Sequence, residues 1–183
     1  MPIREKHQLM SAAEIDRTLV RLAHEITERN QGVELVALVG IRRRGIPLAQ
    51  RLADRIEKIE GRKVPTGSLD ISLYRDDLTT VGSQPVVKTP QLGFPADGKT
   101  VILVDDVLYT GRTIRAAMNA LFECGRPARV QLCVLIDRGW RELPIEASYV
   151  GRHVQTAANE IIECRLRETD EQERVMLVEK VPD

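Results

Sequence analysis

A chain of 183 residues with 43% hydrophobic side chains can bury one sizeable core but is too short for two ordinary domains. Its 27 Lys and Arg balance 27 Asp and Glu, which excludes a strongly basic nucleic-acid protein while leaving room for a local basic face. Aromatic residues at 3% argue against a platform that stacks single-stranded bases.

The first predicted element is a helix. Ser11 and Glu14 form a capping-box pattern, Ile15, Leu19, Leu22 and Ile26 recur at helical spacing, and Asn30-Gln31-Gly32 stops the run. Leu35 to Val39 reads as a buried strand. Gly45 to Ile59 is a second amphipathic helix, with Pro47 in its first turn and Gly61 past its end. Leu69, Ile71 and Leu73 alternate with polar residues as in a half-buried strand, and Asp76 to Gly98 reads as a long loop or ribbon. Val101 to Val104 is a short buried strand, Thr113 to Cys124 a helix, and Val130 to Ile136 another buried strand. Strand-like runs follow at Ala147 to Gly151, Ile161 to Leu166 and Arg174 to Lys180. This alternation predicts an α/β fold with a parallel sheet covered on both faces. Ligands of such sheets sit at the carboxyl ends of the strands, which directs attention to the loops after Val39, Val104 and Ile136. The longest apolar run, about Leu35 to Ile41, is far below the roughly 18 residues of a membrane span. The polar start of the chain and the widely spaced Cys124, Cys133 and Cys164 fit a cytoplasmic protein with buried, reduced thiols.

The chemistry concentrates in Val101-Ile-Leu-Val-Asp-Asp-Val-Leu-Tyr-Thr-Gly-Arg-Thr113. A hydrophobic strand leads into two adjacent acids, Asp105 and Asp106, followed by Thr110-Gly111-Arg112-Thr113 directly before a helix. Such a turn aims backbone N–H groups and two hydroxyls at one point, where the helix dipole adds positive potential, and so is built to hold a phosphate. The carboxylates upstream can accept hydrogen bonds from vicinal hydroxyls or face a divalent cation. Together these describe a ribose 5-phosphate site. Adjacent acids also occur in receiver-type phosphoacceptors, which need no Thr-Gly-Arg-Thr turn. Magnesium-dependent NTPases use them too, but need a glycine-rich phosphate loop that this chain lacks.

This segment resembles the phosphoribosyl pyrophosphate (PRPP) signature of type I phosphoribosyltransferases. Val39-Gly-Ile-Arg-Arg-Arg-Gly45, Leu69-Asp-Ile-Ser-Leu-Tyr-Arg-Asp-Asp-Leu78 and Ile136-Asp-Arg-Gly-Trp-Arg-Glu-Leu-Pro-Ile145 narrow the resemblance to the PyrR family of pyrimidine-operon attenuation regulators that are also uracil phosphoribosyltransferases. It covers nearly the whole chain. It implies one type I phosphoribosyltransferase domain: a central parallel sheet flanked by helices, with a small hood from about residues 61–95 and the C-terminal strands. The implied reaction joins uracil to PRPP, giving UMP and diphosphate, with Mg2+ carried by PRPP rather than by a dedicated protein site. Asp105 and Asp106 would hold the ribose hydroxyls, and Val107, Leu108, Tyr109, Thr110, Gly111, Arg112 and Thr113 the phosphate. Gly40, Ile41, Arg42 and Arg43 would be the pyrophosphate loop, with a cis peptide between residues 39 and 43. Tyr74 to Leu78 would begin a mobile flap in which Arg75 meets the departing pyrophosphate. Asp137, Arg138 and Gly139 would read uracil, with Val154 packing nearby. His7, His24 and His153 read as structural or exposed, not as acid–base catalysts.

The resemblance also implies UMP-dependent binding to a stem-loop of pyrimidine-operon mRNA, on a face of a homodimer or higher homo-oligomer. Arg21, His24, Arg141 and Arg152 would contribute to it. Two positions depart from the family: Trp140 stands where a His is common and Glu146 where a basic residue is common. The alternative is a base-salvage phosphoribosyltransferase with little or no RNA regulation.

Overall fold

A computed structural model describes residues 2–74 and 90–182. Its centre is a five-stranded, all-parallel sheet. In chain order its strands are β2 (Val36–Ile41), β3 (Thr66–Leu69), β4 (Thr100–Leu108), β5 (Arg129–Asp137) and β6 (Tyr149–His153), arranged β3-β2-β4-β5-β6. Helices α1 (Ala12–Arg29), α2 (Gly45–Glu60) and α3 (Arg112–Glu123) cover it. Alternate residues of each strand serve opposite faces. Leu38, Ile102, Val104, Cys133 and Leu135 pack with α1 and α2, while Val39, Val101, Leu103, Leu132 and Val134 pack with α3. Two covered faces explain why these strands read as unbroken apolar runs. The capping box of α1 is formed: the Glu14 amide donates to Ser11 Oγ at 3.2 Å and the Ser11 amide to Glu14 Oε2 at 2.7 Å. Cys133 and Cys164 are buried, Cys124 partly so, and all three are free thiols; burial pushes the Cys133 thiol up to about 12.

The hood keeps the expected C-terminal strands but departs from expectation at residues 61–74 and at the start of the chain, while 75–89 lie outside the described residues. It is an antiparallel sheet, β1-β8-β7, made of β1 (Ile3–Met10), β8 (Arg174–Lys180) and β7 (Glu160–Arg165). Residues after Gly61 instead contribute β3 to the main sheet. β1 carries no apolar alternation to betray it, because six of its eight residues are exposed and only Leu9 and Met10 enter the core. β3 is also earlier than the alternation suggested. It pairs with β2 only from Leu38↔Thr66 to Ile41↔Leu69, and where β2 leaves the sheet β3 loses its partner. Ile71 is still buried, but Leu73 is 49% exposed. Among the described residues, no helix is long and apolar enough to cross a membrane.

Candidate active site

Strand β4 does not end at the acids. It runs on to Leu108, paired with β5 as far as Asp137, whereas its pairing with β2 ends at Gly40↔Val104. Asp105 and Asp106 therefore lie just past the point where β2 departs, beside the opening that its departure creates. The Asp106 amide donates to Asp105 Oδ1 and the Val107 amide to Asp106 Oδ1, both at 2.9 Å. Asp105 is 7% exposed and Asp106 half-buried. Burial, and then the neighbouring Asp106 charge, hold the Asp105 pKa well above the usual carboxylate value.

The turn after β4 becomes the start of α3. Gly111 has φ +94°, and a Cβ there would also lie 2.9 Å from Ile145 Cγ1, so both backbone and space call for glycine. The Arg112 amide donates to Thr110 Oγ1 at 3.3 Å. Residues 107–114 and Glu142 line a cavity of about 300 Å³, and Glu142 accepts from Arg112 Nε at 2.8 Å. The start of α3 lines this space, and the positive end of a helix suits an anion.

Between β2 and α2 the chain passes through Arg42-Arg43-Arg44. The Arg42–Arg43 peptide is cis, within the span where the resemblance places one. The Arg42 amide donates to Leu69 O at 2.8 Å, anchoring the loop to β3. Gly45 presses on β4: a Cβ on it would lie 2.2 Å from Val104 O. A second cavity of about 400 Å³ is lined by the three arginines, Asp70, Ile71, Ser72, Asp105, Asp106, Val107 and Thr113. Val107 and Thr113 line both cavities, so the anion pocket and the acid–arginine pocket adjoin. Gly40 and Ile41 lie within β2 and lead into this loop. Arg75 to Leu78 lie outside the described residues; just before them, Tyr74 donates its hydroxyl to Glu123 Oε2 at 2.5 Å.

The loop after β5 is tied down more tightly than its sequence suggested. Burial opposes ionisation of Asp137, but Arg141 and the Gly139 amide outweigh it and hold its pKa below the usual value. Arg141 Nη2 reaches both Asp137 oxygens, at 3.0 and 2.8 Å. Arg138, in the stretch expected to read uracil through its backbone, has a side chain that is only 6% exposed. It lies over the Tyr109 ring at 4.0 Å from the centroid and donates to Glu160 O at 2.9 Å. It braces this loop against the hood. The amides of Arg138, Gly139 and Val154 donate to Leu108 O, Asp137 Oδ1 and Asp137 O. Val154 is half-buried beside the loop, where it packs against the core.

The four residues expected at a basic RNA face separate into two groups. Arg21 and Arg152 come together, lining with Arg17 and Gly151 a groove of about 350 Å³, and His24 is exposed on α1. Arg21 also donates to Gly151 O at 2.5 Å and pairs with Glu25. Arg141 is not presented there. Its guanidinium donates to Tyr109 O at 2.7 Å, Ile145 O at 2.8 Å and the Asp137 carboxylate. Trp140 is 53% exposed with φ +62°, its indole N–H donating to Thr156 O at 2.8 Å, and Glu146 is exposed. His7 and His153 are exposed, and His153 Nδ1 lies 3.9 Å from Asp137 Oδ2. Sequence reasoning missed Arg44, Gly45, the Asp70–Ser72 turn and Asp170 on α4 (Arg167–Asp170). A glycine directly after three arginines was the available signal for Gly45, and Asp170 had none.

The phosphoribosyl transferase domain family matches residues 8–169. The bifunctional protein PyrR of Pelotomaculum thermopropionicum is 58% identical over 176 residues, covering 96% of this chain and 97% of its own. That of Thermoanaerobacter sp. is 58% identical over 175 residues, covering 96% and 98%. A solved hypoxanthine-guanine phosphoribosyltransferase from Bacillus anthracis superposes with a TM-score of 0.71 over 98% of this chain and 100% of that one, at 19% identity, and so shares the fold. The chain belongs to the phosphoribosyl transferase family, among its bifunctional PyrR proteins.

Proposed function

We propose that this protein transfers the phosphoribosyl group of PRPP to uracil, releasing diphosphate and making UMP, and that with UMP bound it attaches to pyrimidine-operon mRNA. The observation that carries the catalytic half is the adjoining of the two cavities at Val107 and Thr113. One is shaped for a terminal phosphate at the start of α3. The other combines the adjacent Asp105 and Asp106, and Asp70, with arginines, which suits a sugar diol and a diphosphate. PRPP has these three parts in that order.

In this reading Thr110 to Thr113 hold the 5-phosphate through amides and hydroxyls. Asp106, the more exposed acid, accepts from the ribose hydroxyls with Asp105 behind it. Arg42 and Arg43 meet the diphosphate, and Arg75 joins them. Among the described residues no group of three His, Cys, Asp or Glu side chains forms a metal cage. The paired carboxylates are hard oxygen donors that fit Mg2+ brought in by PRPP, and the ion supplies charge neutralisation to the leaving diphosphate. No side chain is assigned as general acid or base; charge stabilisation and alignment of an oxocarbenium-like ribose carry the rate. Uracil offers two N–H donors, and with the Arg138, Gly139 and Val154 amides already engaged, backbone carbonyls are the matching partners.

The regulatory half is supported by the bifunctional relatives and by a direct linkage in this chain. The Glu142 and Leu143 amides both donate to Thr110 O, at 3.0 and 3.1 Å. The loop bearing Trp140 and Arg141 is thus fastened to the back of the phosphate turn, where nucleotide occupancy is felt. Pyrophosphate release from PRPP with uracil, hypoxanthine or guanine as acceptor tests the enzyme; turnover of a purine but not uracil would sink the substrate assignment. Capture of leader transcripts with and without UMP tests the regulator. A preparation that makes UMP but enriches no leader would be a salvage enzyme, with Glu146 and the internally held Arg141 as the reason.

A further inference from the structure

Three consecutive arginines beside an anion site pose a physical problem. Unrestrained, their like charges and the nearby Asp106 would pull the loop into other arrangements. In this chain two of the three are held from outside the loop, and Arg44 the more firmly. Arg44 Nη2 donates to Asp170 Oδ1 at 2.7 Å and Arg44 Nε to Asp170 Oδ2 at 3.0 Å, a two-pronged pair. The carboxylate is itself fixed by the Leu166 amide at 2.9 Å and the Thr169 hydroxyl at 2.6 Å. The same turn accepts from Arg43 Nη2 through Thr169 O at 3.3 Å. Arg51, on α2 behind the loop, pairs with Glu168 and Glu173 and so fastens the turn from a second side. Both partners of the central pair are partly buried, Arg44 at 32% and Asp170 at 16% side-chain exposure.

We propose that Asp170 is a positioning residue for the diphosphate site: it holds Arg44 against the hood, in a turn that also receives Arg43, so that the arginine loop keeps its shape along the cavity and Asp106 remains free for the ribose. This rests on the phosphoribosyltransferase reading above. Arg44 lines the same cavity as Asp106, and Asp106 is among the carboxylates whose charge its guanidinium feels. Without Asp170, Asp106 remains as an anion that Arg44 feels across the cavity, and it is the acid needed by the ribose. The hood thereby acts on the catalytic loop through one ion pair.

The test is a double-mutant cycle on the full chain, read by calorimetric binding of PRPP with Mg2+ and by steady-state kinetics. Asp170→Asn is expected to weaken PRPP binding and raise its KM about tenfold, with kcat changed far less, as for a group that aligns but does not react. Arg44→Gln is expected to do the same, and the double variant no worse than the poorer single one. Asp170→Glu should recover most of the binding. Glu5→Gln, which removes the hood pairs of β1 with Arg165 and Arg174, should leave PRPP binding unchanged. Wild-type affinity in Asp170→Asn, additive losses in the cycle, or an equal loss in Glu5→Gln would each overturn the proposal. If Asp170→Asn does not fold, Arg44→Lys gives the reading: it keeps the charge but not the fork, so several-fold weaker binding is expected and unchanged binding overturns it. Binding separates this from the substrate question, since a chain that binds PRPP yet ignores uracil still reports on Asp170.

Discussion

Replacing Gly45 with alanine should damage the diphosphate site more than its size suggests. A Cβ at this position would stand 2.2 Å from Val104 O, and the next atoms it meets, Val104 C and Asp105 Cα, are also backbone of β4. No flexible side chain can yield. Restoring ordinary contact at 3.4 Å requires the start of α2 to withdraw from β4 by about 1 Å. β4 is a central strand held between β2 and β5, so the loop must move instead. Forced overpacking of this kind costs about 1–3 kcal/mol. A displacement of about 1 Å at a positioning loop costs about 100-fold in rate. Arg42 to Arg44 immediately precede Gly45 and should carry the shift. The assays are thermal unfolding and kcat/KM for PRPP with uracil. Gly45→Ala should melt lower and lose about 100-fold in kcat/KM. A variant with wild-type melting temperature and wild-type kcat/KM would show that this approach is not what sets the loop.

Asp105→Asn should abolish at least 99% of activity, yet melt at or above the wild-type temperature, because burial and Asp106 already oppose its charge. The raised native pKa means Asp105 disfavours the fold increasingly as pH rises above the unfolded carboxylate value, so the Asn variant's advantage should grow from pH 5 to pH 8; no advantage at either pH would refute this. Arg141→Gln should cost about 2 kcal/mol by denaturant unfolding, between the values for exposed and fully buried pairs. That difference is present above the unfolded carboxylate pKa and should shrink as pH falls through the lowered native pKa of Asp137, below about pH 4. Glu146→Lys should tighten leader RNA binding and steepen its salt dependence by about one unit of slope, while leaving UMP synthesis unchanged; an unaltered slope would place Glu146 away from the RNA.

The buried parallel strands and the three long helices were legible because their signals are local: apolar runs, a capping box, glycines past helix ends. The phosphate turn was legible for the same reason, since strand, acids, turn and helix are contiguous in Val101 to Thr113. β3 was displaced because its end is decided by where β2 leaves the sheet, a fact about another segment. β1 was invisible because an edge strand in a hood needs little apolar surface. The side-chain partners of Arg138 and Arg141 were invisible for a related reason. Nothing in the sequence says that one lies against Tyr109 and that the other reaches the Tyr109 and Ile145 carbonyls. Asp170 reaches the site from 126 residues beyond Arg44, a pairing that no local pattern records.

The pairing of β1 with β8 also dictates an order of events. Ile3 lies opposite Lys180 and Met10 opposite Val175, so the first strand to be made waits for the last before it gains a partner. The parallel sheet can assemble as soon as β6 exists, but the hood closes only when both distant segments are present. Closing so long a loop is entropically slow, and until it happens β1 is an unpaired edge. The loop holding Arg44 receives its anchor from the turn between β7 and β8. A chain that ended before β7 would therefore carry the phosphate turn but lack Asp170, the partner of Arg44.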